Sequence, residues 1–323
     1  MHTMMHTTTH STLVRTPAFA SRLPAVGTTI FTVMSALAQQ HDAVNLGQGF
    51  PDFDCDRRLL DQVGAAMHEG LNQYPPMAGV ALLRQAVSAK IEALYGRHYD
   101  ADSEITVTAG ATQAILTAIL CCVHPGDEVI VLEPAYDSYA PNIELAGGRA
   151  VRVPLTPGRF RPDFGLIAAA LSARTRAIIV NSPNNPTGRI YRPAELAALA
   201  RLLEAASERH GRPITLLSDE AYNRIVFDGI EFESAAQHYG PTITIYTYGK
   251  TLLAPGQRVG YAALNPEFPD REAVNYKIFV QQLAAGWGFP NALLQHAMAD
   301  LEALSVDIDA LQRRRDRMVA ALT

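Results

Sequence analysis

Three short segments concentrate the side chains that could do acid–base and covalent chemistry in this chain. Ser218-Asp219-Glu220-Ala221-Tyr222 offers a carboxylate and a phenol, Tyr248-Gly249-Lys250 an amine, and Arg258 a guanidinium, each just past a short apolar run. Such a set suits pyridoxal 5'-phosphate. The pyridine ring of that cofactor draws electrons only while its nitrogen stays protonated, which requires a carboxylate beside it. Asp219 is placed for that role. The cofactor's aldehyde condenses with an amine that can be neutral near pH 7, and lysine is the side chain that supplies one.

Only three of the 27 basic side chains are lysines: Lys90, Lys250 and Lys277. Lys90 and Lys277 fall in helix-like stretches, Leu83 to Leu94 and Glu272 to Gln282, and read as solvated surface lysines. Lys250 follows Thr242-Ile243-Thr244-Ile245-Tyr246, a β-branched run that reads as a buried strand. Ligands of open α/β sheets collect at the carboxyl ends of the strands. Gly249-Lys250-Thr251 also looks like the end of a nucleotide-binding P-loop. That motif needs glycine five residues before its Gly-Lys pair, and Thr244 stands there.

The 323 residues suffice for one large core or for a large and a small domain. An apolar fraction of 48% with 18% charged residues is that of a globular chain. A net charge of −5 gives no electrostatic case for nucleic acid or anionic membranes, so the expected partners are small molecules. Cys55, Cys121 and Cys122 lack metal-ligand spacing and read as small core residues, in keeping with a reducing, cytoplasmic location. Residues 1–12, rich in Met, His and Thr, are expected to be disordered and carry no apolar signal-peptide core. His2, His6 and His10 would share a face only on a helix, and no metal site is assigned. No apolar run reaches the roughly 18 residues of a membrane span.

Apolar runs alternate with helix-period segments along the chain. Candidate strands are Ile105–Thr108, Glu128–Leu132, Ala177–Asn181, Ile214–Ser218, Thr242–Tyr246 and Val259–Leu264. Helix-like stretches include Thr112–Val123, Phe164–Leu171 and Arg192–Glu208. The alternation predicts an α/β fold, a mostly parallel sheet with helices on both faces. Residues 46–290 are expected to form a large cofactor-binding domain. Residues 13–45 and 291–323, the latter a long helical run, are expected to form a smaller domain. The arginine cluster Arg313-Arg314-Arg315-Asp316-Arg317 reads as a solvated face near a helix end.

Two turns add to the site. Ala109-Gly110-Ala111-Thr112-Gln113 leads from the first strand into an apolar helix, whose free N–H groups and positive dipole end could cradle a phosphate. Asn181-Ser182-Pro183-Asn184-Asn185-Pro186-Thr187-Gly188 follows a buried strand and reads either as an Asx-rich turn or as part of the site. In the second reading an asparagine amide donates to the cofactor's phenolic oxygen beside Tyr222.

These segments resemble, in order, those of the pyridoxal-phosphate-dependent class I/II aminotransferases of fold type I. The resemblance is to the branch with methionine, kynurenine and glutamine transaminases. It rests on Asn45-Leu46-Gly47-Gln48-Gly49-Phe50-Pro51, Tyr74-Pro75-Pro76, Ala109 to Gln113, Ser182 to Gly188, Asp219 to Tyr222, Lys250 and Arg258-Val259-Gly260-Tyr261, and runs from about Leu13 to the end. It implies transamination between an amino acid and a 2-oxo acid, with Lys250 holding the cofactor and shuttling a proton. Asp219 would pair with the pyridine nitrogen, and Tyr222 and Asn185 would bond the phenolic oxygen. Tyr136 would stack on the ring, while Ala111, Thr112, Thr247 and Arg258 would bind the phosphate. Tyr74 would reach the neighbouring subunit's cofactor, implying a homodimer. Gly47 and Asn185 would contact substrate.

The family also places a carboxylate-binding arginine in a C-terminal segment beyond Thr323. The expectation is therefore of an incomplete small α/β domain and of impaired substrate clamping. Ala284-Ala285-Gly286-Trp287-Gly288 replaces a more polar stretch, and no arginine lies between Arg271 and Arg313. The arginine missing there would leave a second substrate carboxylate without a partner, which favours neutral or apolar donors such as methionine, glutamine or aromatic amino acids. A carbon–sulfur β-lyase on the same site, and a truncated, catalytically dead cofactor-binding relative, are the alternatives.

Overall fold

The computed structural model describes residues 21–23, 26–47, 49, 51 and 53–323. The disorder expected for residues 1–12, and the histidines there, lie outside the described residues. Seven strands form one sheet: β1 (Ile105–Thr108), β2 (Glu128–Glu133), β3 (Arg149–Pro154), β4 (Thr175–Asn181), β5 (Thr215–Asp219), β6 (Thr242–Thr247) and β7 (Gly260–Leu264). Their order is β1-β7-β6-β5-β4-β2-β3. Only β7 runs against its neighbours, antiparallel to both β1 and β6.

The helices are α1 (Ile30–Gln40), α2 (Arg57–His68), α3 (Ala81–Tyr95), α4 (Ala111–Cys122), α5 (Tyr139–Leu145), α6 (Phe164–Ala170), α7 (Pro193–His210), α8 (Tyr248–Thr251), α9 (Arg271–Ala284), α10 (Ala292–Leu301) and α11 (Ile308–Leu322). Their apolar stripes cover both faces of the sheet. On one face Ala114, Ile115, Ala118 and Ile119 of α4 pack on Ile179, Leu217, Ile243 and Ile245. On the other, Leu83, Val87 and Ile91 of α3 join Leu59 of α2 over Ile105, Tyr246 and Tyr261. Leu196, Leu199 and Leu203 of α7 pack there on Ile178, Val180 and Leu216. A fully buried Val, Leu or Ile contributes about 1.5–3 kcal/mol, so these contacts hold the strand ends where the polar residues emerge.

Four differences from the sequence reading have physical reasons. Strand β3 is an edge strand in which only Val153 is buried. Its Arg149 pairs with Glu128 of β2 at 2.6 Å and Arg152 with Glu133, so charge rather than an apolar run marks it. The run from 291 to 322 is two helices, because Val306 N–H donates to the Thr251 carbonyl at 2.7 Å and Asp307 caps α11. Helix α10, assigned from sequence to the smaller domain, places Leu294, Ala297, Met298 and Leu301 in the core beside α2 and α3. The described parts of 13–45 and 291–323 contain helices and no strand, so the smaller domain's expected α/β character is absent from the described residues.

Candidate active site

The carboxyl ends of β4, β5 and β6 open into one cavity. It is lined by Ala111, Thr112, Ile115, Tyr136, Asn181, Asn185, Asp219, Ala221, Tyr222, Thr247, Gly249, Lys250, Pro255 and Arg258. Lateral pairing sets the spacing: Asn181 lies opposite Asp219, Asp219 opposite Ile245, and Thr247 opposite Gly260. Because strand side chains alternate, Asp219 faces the cavity while Glu220 faces away. Glu220 accepts from Tyr95, Ser218 and Ser234 on the opposite side of the sheet.

Asp219 is 4% exposed and held in place by two donors. Tyr139 donates its hydroxyl to Oδ2 at 2.6 Å, and Ala221 N–H donates to Oδ1 at 3.2 Å. Burial raises its pKa above the ordinary carboxylate value, opposed by the Tyr139 and Ala221 bonds and by Lys250. A cationic ring nitrogen beside it would offset that desolvation. Tyr139 was not singled out by sequence. It belongs to the pair Tyr136 and Tyr139, whose rings meet edge to face at 5.7 Å, so the ring that lines the cavity also buttresses the phenol that orients Asp219.

Lys250 sits on the single turn of α8, started by Thr247, whose hydroxyl accepts from Gly249 N–H at 3.3 Å. Its amine lies 5.5 Å from the centroid of the Tyr222 ring and, among the described residues, has no carboxylate within ion-pair distance. Burial first, then Arg258, lowers its pKa below the ordinary lysine value, while Asp219 raises it. The amine is therefore more readily neutral than an ordinary lysine, as an attacking or proton-accepting group must be.

The end of the cavity beside Arg258 is built from close backbone approaches. Gly110 has φ +82°, and a Cβ there would stand 2.7 Å from Arg258 Nη2. Gly260 packs so closely that a Cβ would meet the Tyr246 carbonyl at 2.3 Å and the Gly110 backbone at 3.0 Å. The two glycines let the guanidinium lie over the start of α4, where the N–H groups of Ala111 and Thr112 find no partner within the helix. Arg258 donates to the carbonyls of Pro255 at 2.9 Å and Ala109 at 3.3 Å, and no carboxylate pairs with it among the described residues. An uncompensated cation over a helix N-terminus suits a phosphate dianion. Replacing Arg258 by Gln removes a positive neighbour of Lys250. The titration midpoint of Lys250, read by competitive acetylation across pH, should then rise toward the ordinary lysine value; an unchanged midpoint would contradict this geometry.

Asn185 is positioned by Asn181, a second contributor that sequence reading did not single out. Asn181 Oδ1 accepts from Asn185 N–H at 2.6 Å, and its Nδ2 donates to the Asp219 carbonyl at 2.9 Å. Burial, then the charge on Asp219, pushes the Tyr222 hydroxyl up to about 12. The donor set thus fits pyridoxal 5'-phosphate: a carboxylate, an amine, a phenol, an amide and an unpaired guanidinium face one space.

Other expected residues lie elsewhere. Tyr74 is 81% exposed, its ring centroid 4.7 Å from that of Phe289, and does not line the cavity. Gly47 lies by Asn45 and Met34, also outside it. Lys277 is exposed as expected, but Lys90 is only 8% exposed, which overturns its reading as a solvated lysine. The arginine cluster is not wholly a solvated face. Arg315 joins Pro183, Ile190, Ile225, Phe227 and Ile230 around an adjoining cavity of about 460 Å³ that shares Asn185 and Tyr222 with the first. There it makes a bidentate pair with Asp228 at 2.6 and 2.7 Å.

Comparison with known proteins agrees with this architecture. The family described as aminotransferase class I and II matches residues 41–323. Methionine aminotransferase of Escherichia coli K12 is 48% identical over 244 residues, 75% of this chain and 62% of that protein. The chain thus spans less than two thirds of that relative. A probable N-succinyldiaminopimelate aminotransferase of Mycobacterium tuberculosis is 40% identical over 313 residues, 94% of this chain and 76% of that one. The crystal structure of an Escherichia coli protein with a methionine aminotransferase function superposes with a TM-score of 0.85 at 42% identity, covering 94% of this chain and 78% of that one. The cavity at the strand ends and these likenesses together identify the chain as a member of the class I and II aminotransferases, of fold type I.

Proposed function

We propose that this chain binds pyridoxal 5'-phosphate on Lys250 and transfers an amino group between an amino acid and a 2-oxo acid. One observation carries the reading: Lys250, Asp219, Tyr222, Asn185 and Arg258 line a single cavity. Bound there, the cofactor supplies an electron sink for charge developing at the substrate Cα. Asp219 keeps the ring nitrogen protonated, and Tyr222 and Asn185 hold the phenolic oxygen. Arg258, Thr247 and the first N–H groups of α4 hold the phosphate, and Tyr136 covers the ring. The Lys250 amine, in its neutral form, would take the proton from the substrate Cα.

Methionine, glutamine and aromatic amino acids are the proposed donors. The absence of arginine between Arg271 and Arg313 supports this, as does the likeness to a protein named methionine aminotransferase. A homodimer in which Tyr74 reaches the partner's site is supported by the exposure of Tyr74 together with Phe289, whose ring centroid lies 4.7 Å away. Gly47 would meet the substrate carboxylate. Among the described residues no helix is long and apolar enough to cross a membrane, and the three cysteines are free thiols, which supports a cytoplasmic setting.

Borohydride reduction of the cofactor-loaded protein, followed by peptide mass mapping, should place the label on Lys250. Label on Lys90 or Lys277 would overturn the assignment. With methionine and a 2-oxo acid the products should be the donor's 2-oxo acid and a new amino acid. With an S-alkyl cysteine, whose sulfur is on Cβ, release of pyruvate, ammonia and a thiol would instead point to β-lyase chemistry.

A further inference from the structure

A second lysine is buried behind the sheet, on the face away from the cavity. Lys90 Nζ lies 2.7 Å from Glu302 Oε1 and 3.8, 4.9 and 5.0 Å from the ring centroids of Tyr246, Tyr261 and Tyr248. Glu302 is shared: Arg224 Nη1 stands 3.5 Å from the same oxygen and donates to the Glu302 carbonyl at 2.7 Å, while Nη2 donates to the Ala303 carbonyl at 3.2 Å. The following residues tie to α8, since Val306 N–H donates to the Thr251 carbonyl at 2.7 Å. Tyr246 and Thr251 hydroxyls meet at 2.8 Å.

This cluster is a costly way to fill a core. Helix α3 buries Leu83, Val87 and Ile91 on the same side, and an apolar residue at 90 would continue that stripe. Replacing a buried ion pair by well-packed apolar groups is often neutral or stabilising. Burial, only partly offset by Glu302, pushes the Lys90 amine down to about 8. A charge kept at that cost, enclosed by three ring faces and one carboxylate, restricts the parts around it to one arrangement.

Those parts carry the chemistry. Tyr246 immediately precedes Thr247, Tyr248 shares the turn of α8 with Lys250, and Arg224 follows Tyr222 by two residues. We propose that Lys90 is a positioning residue, which with Glu302 and Arg224 fixes the turn bearing Tyr222 against the helix bearing Lys250. The pair that must meet one cofactor is thereby set from behind the sheet. The inference rests on Lys250 being the attachment residue.

The test uses cofactor-free protein and separates docking from attachment. Pyridoxamine 5'-phosphate, which lacks the aldehyde, reads docking; the rate at which pyridoxal 5'-phosphate becomes borohydride-fixable on Lys250 reads attachment. Lys90→Met should slow attachment about 10- to 100-fold while pyridoxamine 5'-phosphate binds within about threefold of wild type, as expected for an amine misplaced by about an ångström. Lys90→Arg, able to face the same rings and the same carboxylate, should restore most of the rate. The double variant Lys90→Met/Glu302→Gln removes both charges together, so it serves where the single variant fails to fold, and should be slow as well. Melting temperature is recorded alongside. A folded Lys90→Met or double variant that attaches cofactor at the wild-type rate, whatever its melting temperature, would overturn the proposal and leave a purely structural pair. Wild-type protein that never labels at Lys250 would instead bring down the proposed function, and this inference with it.

Discussion

Lys250→Ala protein should transaminate at least about 10²–10⁴-fold more slowly than wild type, the range that a positioned proton-transfer group contributes by itself. The covalent attachment is lost in the same step, so borohydride should fix no cofactor to the chain. Pyridoxamine 5'-phosphate should still bind, because Arg258, Thr247 and the start of α4 are untouched. The pairing of these results matters. Lost turnover with kept docking separates removal of the amine from collapse of the site, and kcat/KM within tenfold of wild type would remove Lys250 from the chemistry.

Asp219→Asn should cost about 10²–10³-fold in kcat, on the scale of one preorganised electrostatic partner. The amide oxygen can keep the bond from Ala221 N–H while the amide nitrogen, in place of Oδ2, donates to the Tyr139 hydroxyl oxygen, so the shape of the side chain is kept and the negative charge is what disappears. Burial is what makes the loss large. With Asp219 4% exposed, water cannot replace the missing charge at the ring nitrogen. The adjacent carboxylate supplies the control. Glu220 is fully buried among Tyr95, Ser218 and Ser234, so Glu220→Gln should act on melting temperature while leaving kcat near wild type. The reverse pattern, an inert Asp219→Asn and a crippled Glu220→Gln, would show that the strand faces the other way.

The grouping of the candidate site residues was legible in the sequence because β5 and β6 are buried along their whole length. Their apolar runs end abruptly in Asp219 and just before Lys250, a break that composition makes visible. Strand β3 escaped notice because an edge strand needs few buried residues and its arginines answer carboxylates on β2. Tyr139 and Asn181 carry no signal of their own, since each acts by orienting a neighbour brought close by the fold. Lys90 is instructive for a different reason. Position 90 falls on the same helix face as Leu83, Val87 and Ile91, which argued for burial, yet a lysine there reads as surface until its partner is known. That partner, Glu302, lies at the far end of the chain, beyond the reach of any local pattern.

The reversed direction of β7 has a consequence for how the site is assembled. In a wholly parallel sheet the cavity's arginine would have to come from a loop after a strand, a crossover away from the lysine. Here the chain leaves β6 at Thr247, turns through α8 and returns along β7, so the amine and the guanidinium belong to one local excursion. Closing so short a loop costs little chain entropy, and such contacts form early and re-form quickly after local opening. The segments bearing Lys250 and Arg258 should therefore behave as one cooperative unit in hydrogen exchange. Asp219 and Asn185, contributed by separate crossovers, would join that unit only when the wider sheet is complete.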